Sequence, residues 1–203
     1  MNFGRIATKL HYSMIATSMI ALVLTGVGSC ALAQEGHAHA NTTQQQGATK
    51  QTTSDGALVQ IVRQSTERFK NVSVAEAEGY ALQFGCVSGD SAGAMGLHYV
   101  NGTLVNNGVL DATRPQIVIY EKAANGQLRL IGADYLLLQA PWDANHSGPP
   151  QLMGQLFHLF DAPNRFGLPA FYTLHVWAWK DNPNGAFVNW HPNVSCQTFS
   201  GQN

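Results

Sequence analysis

The sequence predicts an α+β domain, with helices first and a mostly antiparallel sheet after them. Three observations predict it. Apolar residues recur at helical spacing between Ala57 and Phe69. From Ala81 onward they alternate instead, in short runs bounded by Gly, Pro, Asn and Asp. Asn125-Gly126 separates two of those runs, a strong short-range hairpin signal. Helices gathered at one end of the chain and strands at the other make the α+β pattern. The patterned part, roughly residues 56–203, suits one domain.

The chain opens on export features. Arg5 and Lys9 form a positive start, Met14 to Val27 is an apolar run, and Ala31-Leu32-Ala33 offers a small-residue cleavage site. The apolar run is shorter than the roughly 20 residues that span a bilayer. Residues 1–33 therefore read as a removed secretory signal, leaving no transmembrane span in the mature chain. This implies a periplasmic or secreted protein. Val27-Gly28-Ser29-Cys30 offers an alternative, a lipoprotein anchored through Cys30. Residues 34–55 are rich in Gln, Thr, Ala and Gly without apolar periodicity, and read as a disordered linker.

The domain then builds in order. Ser54 or Asp55 is a plausible helix cap, and Ala57, Leu58, Ile61, Val62 and Phe69 share one helical face. Ser73 with Glu76 makes a capping box for a second short helix that Gly79 stops. Gln83 to Val87 is extended. Met95 to Asn101 alternates as a strand, with Met95, Leu97 and Tyr99 on one side and His98 on the other. Gly102 to Arg114 is polar and turn-rich. Gln116 to Lys122 and Gln127 to Leu138 are the two arms of the hairpin, with Glu121 and Asp134 as carboxylates available to a pocket. Leu152 to Phe160 is a short helix or a strand carrying His158. Tyr172 to Trp179 is a strand that puts His175, Trp177 and Trp179 on one face. Asp181 to Gly185 turns the chain, and Ala186 to Trp190 is the expected partner strand.

Composition narrows the function. A net charge of -1 provides no basic field for nucleic acid. With Cys30 removed, Cys86 and Cys196 form an even pair in an exported chain, which implies a disulfide. No G-x-S-x-G, P-loop, dinucleotide fingerprint or C-x-x-C-H occurs. What remains is a set of histidines, carboxylates and tryptophans. Two or three His with a carboxylate suit Zn, Fe, Mn or Cu. His98, His158 and His175 with Glu121 are the candidate ligands. Tyr99, Trp177 and Trp179 are the candidate wall for a small ligand. A shared ion requires the imidazoles of His98 and His175 to lie within about 8 Å.

Several blocks together resemble a known group. They are Glu78 to Tyr80, Cys86 with Gly93 to Asn101, Val118 to Glu121 with Leu128 to Tyr135, and Leu174 to Trp177 running on to Phe187. The chain thereby resembles a family of uncharacterised exported bacterial proteins with M-G-x-H-Y-V-N and L-H-x-W blocks. In that family the last block often opens with an extra His before a Tyr, whereas here Phe171 precedes Tyr172. The resemblance carries no activity. The expectation is an exported protein that binds a metal ion or small ligand at a His- and Trp-lined site. The alternatives are a metal-dependent or acid–base enzyme at that site, and a structural envelope protein with buried histidines.

Overall fold

In the computed structural model, residues 45–89 and 91–201 are described, the side chains from residue 56 on. The export signal, Cys30 and residues 34–44 of the expected linker lie outside the described residues. Helix α1 runs Gln45–Thr66, so it takes in residues 45–55 of that linker segment. Gln, Ala and Lys are good helix formers and no proline interrupts them. A 3-10 turn at Glu67–Lys70 and helix α2 at Val72–Ala77 follow. The cap of α2 is Asn71, whose side chain accepts from the Ser73 amide, rather than Ser73 itself. Gly79 stops it at φ 91°.

Strands β1 (Ala81–Ser88), β2 (Ala94–Val100), β3 (Ile117–Lys122), β4 (Leu128–Leu138), β7 (His158–Phe160) and β8 (Phe171–Val176) form one antiparallel sheet, ordered β1-β2-β3-β4-β8-β7. β5 (Gln151–Leu152) and β6 (Gln155–Leu156) pair as a small separate hairpin. The α+β class is thus shown. The β3–β4 turn centres on Asn125-Gly126, with Gly126 at φ 80° and Ala123 N–H donating to Gln127 O. Helix α3 (Gly102–Asn107) occupies the start of the segment expected to be turns. Asn101 ends β2 and caps it by accepting from the Leu104 amide. Helix α4 (Gln139–Asp143) follows β4 directly.

Both faces of the sheet are covered, which is why β2 and β8 are buried almost throughout. On one face Leu58, Val62 and Phe69 pack against Tyr135, Leu174, Val176 and Tyr120. On the other, Ile117, Ile119, Ile131 and Trp177 pack under Val194 and the C-terminal segment. Cys86 and Cys196 are bonded, fastening that segment to β1.

Two local departures from simple alternation matter for the site. Gly96 sits at φ 96° beside a register shift between β1 and β2, and it brings Met95 to the same cleft as His98. At the end of β8, Ala178 N–H donates to Val176 O, a tight turn about Trp177. Trp179 therefore leaves the face of His175. Its indole donates to Thr66 Oγ1 on the helix side, and Lys70 lies over its ring. Residues 186–190 do not form the expected strand. They are tied to Trp177, just past β8, whose amide donates to Ala186 O and whose indole donates to Val188 O, and His191 instead bridges to Ala94.

Candidate metal centre

β2 and β8 each carry one imidazole to the same point. His98 and His175 are 5 % and 2 % exposed, and their Nε2 atoms lie 3.4 Å apart. β4 runs beside β8 with Asp134 directly opposite His175. This register brings Asp134 Oδ2 to 3.5 Å from His175 Nδ1. His98, Asp134 and His175 offer ligand atoms all within 4.8 Å of one another, a buried group that could hold a metal ion.

Each member is oriented by a partner. His98 Nδ1 lies 3.2 Å from Gly96 O, so Nδ1 carries the proton and Nε2 keeps its lone pair. Asp134 Oδ1 accepts from Thr173 Oγ1 at 2.6 Å. His175 Nδ1 is buried and makes no hydrogen bond, yet it faces the Asp134 carboxylate. A proton on Nδ1 is the form that carboxylate favours, and it directs the second lone pair, on His175 Nε2, toward His98 Nε2. Two lone pairs facing at this distance repel unless a cation lies between them. Two ligands at 2.0–2.1 Å from a tetrahedral ion are themselves roughly 3.3–3.4 Å apart. The opposite tautomer has His175 donating from Nε2 to His98. It leaves a lone pair facing Asp134, which must then hold the proton.

Burial governs the titration of all three groups. It pushes His98 down to about 4, with His175 adding to the effect, and His175 down to about 3, with His158 adding. It pushes Asp134 up to about 6, against the hydrogen bond from Thr173. These shifts have opposite signs for stability. The folded histidines stay neutral while the unfolded chain takes up protons below about 6.5, so acid removes stability. The folded Asp134 takes its proton first, so over the range from about 6 down to its ordinary 3.8 it adds stability. Two groups oppose one. Chelator-treated protein is expected to lose stability as pH falls from about 6.5 toward 4, and Asp134→Asn to steepen that fall. Urea midpoints at pH 7.5, 6, 5 and 4.5 measure it. A flat profile in both proteins would contradict it.

The other sequence candidates lie apart from this group. Glu121 pairs with Lys180 and, at 3.6 Å, with Arg129 near the end of the hairpin. His158 opens the edge strand β7, opposite Thr173 and exposed. It lines a surface groove with Asn184 and Trp190. Tyr99 points to the helix face and packs edge-on against Tyr120. Trp177 does approach His175, at 6.0 Å between ring centres, but its indole is tied to Val188 O. His191 is fully buried with its ring edge-on to Trp177.

Asp134 was the less visible member. Its one signal is an acidic residue inside a strand whose neighbours are apolar on both faces, where a charge needs a partner. Thr173 gave no signal. Above the three groups lies a small cleft walled by Phe84, Phe160, Phe166, Phe171 and Met95. Phenylalanines thus wall the cleft, while of the two expected tryptophans Trp177 alone approaches the centre, through His175.

Among the described residues no helix is long and apolar enough to cross a membrane. No protein-family model, curated protein or solved structure matches the chain.

Proposed function

We propose that this is an exported metal-binding protein. It holds one divalent transition metal ion between His98 Nε2 and His175 Nε2, with Asp134 as the adjacent negative charge. The observation that carries this reading is the 3.4 Å separation of two buried Nε2 atoms whose opposite nitrogens face Gly96 O and Asp134. A carboxylate behind a ligating imidazole fixes its tautomer and raises its basicity, a recurrent arrangement at metal sites. Asp134 also offsets part of the ion's charge in a buried setting. Zn, Fe, Mn and Cu all accept imidazole nitrogen. The Cys86–Cys196 bridge fits an oxidising compartment and so supports export. The resemblance of the motif blocks to a family of exported bacterial proteins is in keeping with this reading.

Untagged protein taken from a periplasmic fraction is expected to carry about one equivalent of metal. His98→Ala and His175→Ala should each retain less than about a tenth of it, and Asp134→Asn should weaken affinity roughly 10–100-fold. Elemental analysis with a chelator competition reads all four proteins. Metal-free wild type, or metal retained by both histidine variants, would overturn the reading. Loss of stability without any metal would favour buried structural histidines.

A further inference from the structure

The cleft above the two histidines has a built rim. β1 is interrupted between Gln83 and Cys86 by a bulge, with Phe84 at φ 65° and Gly85 at φ 61°. The left-handed region is costly for a phenylalanine and persists only where the surroundings impose it. A bulge re-aims a side chain, and here it turns the Phe84 ring over the cleft. The ring meets Phe166 edge-on at 5.4 Å. Phe166 is in turn held. Asn164 accepts from the Phe166 and Leu168 amides and donates to the Asp161 and Leu168 carbonyls, and Arg165 donates to Ser88 O on β1. Phe166 also packs against Phe160 and Phe171. The two phenylalanines come from distant segments and together narrow one cleft.

The space beneath them is small, a cavity of about 30 Å³. That is room for one or two waters. Its upper wall is apolar, and its polar groups are His98, Asp134, Thr173 and His175 at the base. An ion held by the two histidines would keep open positions, and both histidines line this space.

We infer that the centre takes as its exogenous ligand a molecule of two or three heavy atoms, and that Phe84 and Phe166 set this limit by narrowing the cleft. The inference rests on the metal reading above. A five-membered ring such as imidazole exceeds the volume of this space. A linear triatomic anion such as azide does.

The test uses the whole folded protein loaded with cobalt(II), whose visible spectrum reports its ligands. Azide is expected to shift the spectrum of wild type, while imidazole at a hundredfold higher concentration leaves it unchanged. Phe84→Gly removes the ring at a backbone position where glycine is at ease, so the variant should fold. It is expected to admit imidazole with at least a tenfold gain in affinity and to keep azide binding within about threefold. Phe166→Ala should act in the same direction. Cobalt uptake is scored separately. Failure of uptake overturns the metal reading, and this inference with it. Stoichiometric uptake overturns the size limit alone in three cases: wild type binds imidazole as well as azide, wild type binds neither, or Phe84→Gly still excludes imidazole.

Discussion

Replacing both Cys86 and Cys196 with Ser is expected to lower the stability of the protein by about 4–5 kcal/mol. The bridge closes a loop of 110 residues, so cutting it returns a large conformational entropy to the unfolded chain. The loop contains every strand from the end of β1 through β8, so the bridge constrains nearly the whole sheet at once. It also holds the C-terminal segment, whose Val194 packs on Ile117 and Trp177. For a domain of this size the loss corresponds to roughly 8–20 °C in melting temperature. Thermal and urea unfolding of the double variant, and of wild type in reductant, measure it. An unchanged midpoint in both would show that the bridge contributes little to the folded domain.

Gly96→Ala is expected to cost about 3–5 kcal/mol and to disturb the centre as well. Gly96 has φ 96°, where any L side chain is strained. A Cβ there would stand 2.7 Å from Tyr120 O, on the adjoining strand, and 3.2 Å from both Ile119 and Ile131. The backbone carbonyl cannot retreat without breaking the β2–β3 ladder. The same residue supplies the carbonyl that orients His98, so the surviving folded fraction should bind metal more weakly. Gly102→Ala is the control. It has open space around it, starts helix α3 and should be neutral or stabilising by up to about 1 kcal/mol. Urea midpoints of the two variants, with metal affinity for each, separate the strain from any general effect of adding a methyl group.

What the sequence disclosed follows the range of the interactions concerned. The hairpin was legible because Asn125-Gly126 sets its own turn chemistry. The first helix was legible from apolar spacing and the second from its end signals, although Asn71 and not Ser73 caps the second. His98 and His175 could be singled out as mid-strand imidazoles, but which carboxylate meets them is a matter of pairing. Glu121 and Asp134 lie near opposite ends of one hairpin. Only the register of β4 against β8 sets Asp134 opposite His175 and leaves Glu121 with Lys180. Trp179 was misplaced for a local reason, since alternation was carried through a tight turn at Trp177 that sequence periodicity does not reveal. Phe84 was invisible as a rim residue because its position depends on a bulge, an irregularity that a period-two pattern averages away.

That bulge also bears on how copies of this chain meet. β1 and β7 are the borders of the six-stranded sheet, each with peptide groups that another strand could take up. Around Phe84-Gly85 the β1 border is broken into runs of three paired residues, and one of its carbonyls, that of Ser88, is already taken by Arg165. The β7 border is three residues long. Neither offers a long straight template, so an incoming strand would find few consecutive partners. A detail that shapes the mouth of a cleft thus also guards the sheet against stacking edge to edge with its own kind.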